Sequence, residues 1–205
     1  MSRTLYIIRH GNTFAPGDVV RRIGRRTDLP LVTSGIAQAK ALADYFISKN
    51  IEPSKIYCAP LQRTMQTAQT IASAQTKVIE IAELSSLIEI DYGPDEGKAE
   101  QEVIERIGKA ALSAWDERSI PPEKWHVDPT ELTNVWKQFF IQIAKEEPPN
   151  TSIFAVTSNG ISRFALYAAD SGANNFPNKL RTGAFGKIII DQQGKGSVVQ
   201  YDKRP

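Results

Sequence analysis

The feature that most constrains this chain lies at its start, where the unbroken apolar run Leu5, Tyr6, Ile7, Ile8 stops abruptly on Arg9, His10 and Gly11. A short apolar run without alternation marks a strand buried on both faces, the strand type of a parallel sheet covered by helices. Residues 4–9 are read as such a strand. Its polar end matters because open α/β sheets bind their ligands beyond the carboxyl ends of the strands.

The rest of the chain repeats the theme. Residues 55–58 and 152–157 are further buried strands, residues 78–81 a short candidate, and residues 187–191 and 197–201 a strand pair across Gln193, Gly194 and Lys195. Thr33 and Ser34 offer N-cap oxygens to a helix with Ile36, Ala39, Leu42, Ala43 and Phe46 at helical spacing, stopping near Asn50. A second helix follows Ala59 and Pro60 and carries Leu61, Met65, Ala68 and Ile71, which puts Arg63 in its first turn. Helical patterns return at residues 99–107, 130–144 and 161–169. Strands alternating with helices predict an α/β fold, a three-layer α/β/α arrangement on a mostly parallel central sheet. Residues 1–205 are read as a single domain with a mainly helical insertion at about 97–150.

Bulk composition excludes several function classes. A net charge of +2, from 25 basic and 23 acidic residues, is too even for a nucleic-acid or membrane-surface protein. The single cysteine, Cys58, excludes an internal disulfide and a multi-cysteine metal site. No stretch approaches the roughly 20 apolar residues that span a bilayer. A cytoplasmic protein with no nucleic-acid or membrane partner is expected. One local cluster, Arg21, Arg22, Arg25 and Arg26, is either a solvated loop face or a means of drawing in an anionic substrate.

The polar groups at the strand ends suit phosphate chemistry. A neutral imidazole has a nitrogen lone pair available to attack phosphorus near pH 7, which makes His10 a candidate nucleophile. Guanidinium groups donate paired hydrogen bonds to phosphoryl oxygens, the task suited to Arg9 and Arg63. A carboxyl group near the leaving oxygen can protonate the departing alkoxide, an aid of about two to four orders of magnitude, and Glu89 is the candidate. Ser158 and Asn159 follow the late strand and offer a hydroxyl and an amide to the same end. Each residue alone is more readily structural than functional; their arrangement at strand ends points to a site.

Together these residues resemble the histidine phosphatase superfamily, the phosphoglycerate mutase-like proteins. The run Arg9, His10, Gly11, Asn12, Thr13 is similar to the family's Arg-His-Gly-x-Thr signature, and Asp28, Pro30, Leu31, Thr33, Gly35, Gln38 and Ala39 to its following loop and helix start. Residues 59–68 resemble the second arginine motif, and Leu87, Glu89, Asp91, Gly93, Glu96 and Gly97 the acid-bearing loop. The resemblance implies a phosphoglycerate mutase-like fold, a phosphohistidine at His10, an arginine clamp of Arg9 and Arg63, and Glu89 as proton donor. It implies a small phosphorylated substrate and neither cofactor nor metal.

The chain departs from the family pattern twice. Ser158 stands where the family places a second histidine, five positions before Arg163, and Asn159 stands where it places glycine. His126, the one other histidine, has no motif around it. Near the nucleophile, Asn12, Thr13, Phe14, Ala15 and Pro16 replace the Glu-Ser and Trp-Asn elements of mutases, which favours a phosphatase over a mutase. The leading expectation is therefore a metal-independent phosphomonoester phosphatase with reduced turnover. The alternative is a catalytically impaired phosphate-binding or interaction module, with a phosphoglycerate mutase as the less favoured third.

Overall fold

In the computed structural model, which describes residues 1–205, the opening apolar run forms β1 (Arg3–Arg9) at the middle of a six-stranded sheet. The other strands are β2 (Pro53–Cys58), β3 (Ile81–Glu83), β4 (Ser152–Thr157), β5 (Phe185–Ile190) and β6 (Gly196–Lys203), in the order β3-β2-β4-β1-β5-β6. The β1–β4, β2–β4 and β2–β3 pairs are parallel; β5 runs antiparallel to both β1 and β6. Leu5 lies opposite Ile153 and Ile8 opposite Val156, so Arg9 and Thr157 reach the carboxyl edge together.

The alternation of side chains along β1 explains why the sheet needs a layer on each face. Tyr6 and Ile8 pack with Phe154, Val156 and Phe185 against Leu42, Ala43 and Phe46 of α1 (Thr33–Ser48) and Ala68 and Ile71 of α2 (Gln62–Ser73). Leu5 and Ile7 join the opposite cluster. There α3 (Glu100–Arg118) contributes Val103, Leu112 and Trp115, and α4 (Pro129–Glu146) contributes Trp136, Phe139, Phe140 and Ile143. Full burial of one such aromatic or aliphatic side chain stabilises by about 1.5–3 kcal/mol. The two helices of residues 97–150 thus build the third layer. No helix is long and apolar enough to cross a membrane.

Several local expectations are corrected. The third strand lies at Ile81–Glu83 rather than at residues 78–81, because the pairing with β2 begins at Ile56 opposite Ile81 and leaves Val78 exposed. Thr33 and Ser34 are the first helical residues, not caps: the cap position is Val32, and Ser34 Oγ instead accepts from Asn12 Nδ2 at 3.3 Å. Ile36 is exposed while Ala39, Leu42, Ala43 and Phe46 are buried. The pattern at residues 99–107 continues to Arg118 past a break at Gly108, where φ is 80°. The late helix is two short pieces, α5 (Asn159–Ser162) and α6 (Phe164–Ala168), with Arg163 between them.

The loop after β1 is pressed against the start of α1. A Cβ on Gly11 would run into the Gly35 carbonyl, and one on Gly35 into the Asn12 backbone. Val32 N–H donates to Asn12 O at 3.0 Å across the same contact. Backbone cannot yield as a side-chain tip can, so Gly35→Ala is expected to destabilise by about 1–3 kcal/mol. A lowered urea midpoint at unchanged slope would show it; an unaltered midpoint would not fit this packing.

Candidate active site

The carboxyl ends of β1 and β4 lie side by side, and the candidate residues converge there. The backbone of His10 is tied on both sides: its N–H donates to Thr157 O at 3.1 Å, and its carbonyl accepts from Gly183 N at 3.2 Å. The ring is 3% exposed, with Nδ1 2.7 Å from Gly11 O. A carbonyl only accepts, so Nδ1 carries the hydrogen and Nε2 keeps the lone pair. Burial, and then the charges of Arg9 and Arg63, push the imidazole well below its ordinary value of 6.5, against a smaller opposing pull from the Gly11 carbonyl. The result is a neutral ring of fixed orientation with one free nitrogen.

The two arginines are held by backbone carbonyls rather than by acids. Arg9 Nη1 donates to Leu180 O at 2.8 Å. Arg63, fully buried in the first turn of α2, donates from Nη1 to Thr27 O at 2.6 Å and from Nη2 to Gly24 O at 3.1 Å. The Nε of each is buried without a partner, and neither forms an ion pair. Buried charge without a counter-charge is costly, and an anion at the site would offset it.

Glu89 reaches the same end from the loop after β3 and is 5% exposed. Its Oε1 accepts from Ile90 N at 2.8 Å and Ile161 N at 3.0 Å, and its Oε2 from Gly160 N at 3.0 Å. This explains glycine at position 160, where a Cβ would collide with the carboxylate. Asn159 Oδ1 accepts from Leu180 N at 2.8 Å, so Asn159 and Arg9 grip the same residue from its two polar ends.

Arg9, His10, Glu89 and Asn159 line one cavity of about 560 Å³, which is far larger than a phosphate needs. Arg63 and Ser158 are fully buried beside it and outside its wall, and Ser158 Oγ has no hydrogen-bond partner. His126 is an exposed residue beyond the cavity, 3.2 Å from Asp91. No group of three or more His, Cys, Asp or Glu side chains is arranged to hold a metal ion.

The arginine-rich loop has a third role besides the two weighed from sequence. Arg22 N donates to Lys98 O and Gly97 N to Arg22 O, while Arg22 pairs with Glu100 at 2.6 Å and Arg26 with Asp91 and Glu96. These arginines zip the loop to the acid-bearing segment; Arg21 and Arg22 also reach the cavity wall. Sequence reasoning missed Tyr92, Trp115 and Asp116 in that wall. Tyr92 stood within the acid-bearing motif and was findable, whereas Trp115 and Asp116 come from α3, where no motif signals a site.

The family model of the histidine phosphatase superfamily, branch 1, matches residues 5–202. The chain belongs to this superfamily. It is 34% identical over 174 residues to phosphoserine phosphatase 1 of Hydrogenobacter thermophilus, covering 83% of this chain and 77% of that one. It is 30% identical over 186 residues to the transcription factor tau 55 kDa subunit of Saccharomyces cerevisiae, covering 84% of this chain and 42% of the subunit. The chain spans about half or less of the length of that subunit and of the next curated relatives it matches. Among solved structures, a mycobacterial glucosyl-3-phosphoglycerate phosphatase superposes with a TM-score of 0.82 at 18% identity, covering 99% of this chain and 100% of that one. This histidine phosphatase superfamily member therefore shares its fold with proteins of widely different sequence.

The neutral state of His10 has a measurable consequence. Its folded value lies below the unfolded one, so the unfolded chain takes up the proton first as pH falls. The stability it contributes is complete above about pH 6.5 and is lost as pH drops toward the folded value. In thermal melts from about pH 7.5 to 5, His10→Asn is expected to lose less stability than the wild type. Equal losses would contradict the assignment.

Proposed function

We propose that the protein is a metal-independent phosphomonoester phosphatase working through a phosphohistidine at His10. The observation that carries the reading is the buried imidazole pinned through Nδ1–H to Gly11 O, which leaves a nucleophilic Nε2 beside two arginines that form no ion pair. The alternation of neutral nucleophile and cationic surroundings suits a dianionic substrate.

In the first half-reaction Nε2 attacks phosphorus, the N–P bond forms as the P–O bond to the leaving group breaks, and Glu89 gives the departing oxygen its proton. In the second, water attacks phosphorus as Glu89 takes its proton, the N–P bond breaks, and inorganic phosphate leaves. The three N–H groups around Glu89 hold the carboxylate that the first step generates and the second step uses. Arg9 and Arg63 stabilise charge on the phosphoryl oxygens. The size of the cavity suits a small organic phosphate as substrate. Asn12, Thr13 and Phe14 in its wall lack the mutase elements, which supports hydrolysis over phosphoryl return to the substrate.

A second reading rests on Ser158. Its hydroxyl brings no charge and lies outside the cavity wall, and loss of one transition-state donor commonly costs about two to three orders of magnitude. A phosphate-binding module of low turnover fits this, as does the likeness to a transcription factor subunit.

Two measurements separate the readings. Incubation with an aryl phosphate is expected to yield free phosphate and an acid-labile phosphoenzyme, both lost in His10→Ala and slowed about 10²–10⁴-fold in Glu89→Gln. A folded protein that is stabilised by phosphate but forms no phosphoenzyme would favour the binding module. Ser158→His is expected to raise kcat by up to about 10²–10³-fold if the missing donor limits turnover; an unchanged kcat would place the limit elsewhere.

A further inference from the structure

Arg163 is a fully buried charge that the scheme above leaves unused. It is fully buried between α5 and α6, five residues beyond Ser158 in the segment whose N–H groups hold Glu89. Nη1 donates to Trp115 O at 2.6 Å, and the guanidinium lies 4.0 Å from the centre of the Trp115 ring. Nε and Nη2 have no hydrogen-bond partner. Arg63 commits both Nη groups to backbone carbonyls and Arg9 commits Nη1, each leaving one buried donor, Nε, idle. Arg163 thus has two buried donors idle where each of the others has one.

Its charge is only weakly neutralised by the fold. The nearest carboxylate, Asp116, is 4.0 Å away, half exposed, and shared with Lys179 at 3.7 Å. An ion pair of that length at a wet surface contributes little. The stack on Trp115 favours the cation but supplies no negative charge. A buried guanidinium with two idle donors and no close acid needs an offset, and the two residues it contacts face the cavity. Trp115 and Asp116 stand in its wall with His10 and Glu89, and Arg163 lies close enough to Glu89, Tyr92 and Arg9 to couple to them electrostatically.

We infer that Arg163 supplies the phosphate-binding end with positive charge that Ser158 does not, and so sets its affinity for the anion. This rests on the phosphate reading proposed above and extends it. Arg163 is not itself in the cavity wall, so it acts through its field and through the placement of Trp115 and Asp116 rather than by touching the ligand. In a dry region of low effective dielectric, one fixed charge behind the wall weighs far more on a bound dianion than it would in water.

The test compares wild type, Arg163→Met, Arg163→Gln and Arg163→Lys as full chains, with folding followed by near-UV circular dichroism and inorganic phosphate titrated calorimetrically. The neutral variants are expected to bind phosphate about tenfold more weakly. Arg163→Lys keeps the charge and loses the fork and the stack, so its affinity is expected within about threefold of wild type even though its melting temperature falls. Arg163→Gln serves if Arg163→Met does not fold. Wild-type affinity in a folded neutral variant would overturn the inference while leaving the phosphatase reading intact. A loss in Arg163→Lys equal to that in Arg163→Gln would overturn it too, by assigning the effect to packing on Trp115. A wild type with no affinity for phosphate would remove the phosphate reading and the role of Arg163 with it.

Discussion

The Glu89 carboxylate, seated on the N–H groups of Gly160 and Ile161, joins two loops that the sheet alone would leave independent. One follows β3, the other β4. Breaking this contact would leave two N–H groups buried without partners and the carboxylate held by Ile90 N alone, an expensive defect for a fold to carry. The rest of the site is hung on the same short segment. Trp136 Nε1 donates to Ile161 O, Asn159 fixes Leu180, and Leu180 in turn receives Arg9. An acid, an arginine and the helical third layer are therefore positioned by residues 159–161 together.

The electrostatic pattern follows from this economy of connections. The fold satisfies the arginines mostly with carbonyl dipoles instead of acids, which keeps their net charge available. His10 meets the opposite treatment: one ring nitrogen is bonded, burial removes water, and the neighbouring cations keep the proton off. Cys58 illustrates burial without such purpose. Desolvation pushes its thiol up to about 12, and it sits in the core as an inert apolar residue.

Much of this was legible in the sequence because the strongest signals are local. The run Leu5 to Ile8 specified a doubly covered strand, and the polar residues at its end marked the edge where the cavity opens. Arg63 could be placed because a helix start follows β2 by only a few residues. Contacts made by long-range packing were not readable. The two-part helix around Arg163 follows no break in apolar spacing, and the stack on Trp115 joins residues 48 apart in sequence. The exposure of Ile36 likewise depends on which neighbours the folded sheet supplies. Val78 failed as a strand residue for a related reason: three-residue pairing with β2 is set by register, not by local apolarity.

The zipper between the arginine-rich loop and the acid-bearing segment carries a consequence for the cavity wall. Its ion pairs Arg22–Glu100, Arg26–Glu96 and Arg26–Asp91 each have at least one largely solvent-facing partner. Salt weakens such solvent-exposed pairs far more than buried ones. The floor of the cavity, built from buried dipoles and carboxylate cradles, is insulated from that screening. Of these pairs Arg22–Glu100 stands in the cavity wall, so salt loosens that edge of the wall more than the buried floor.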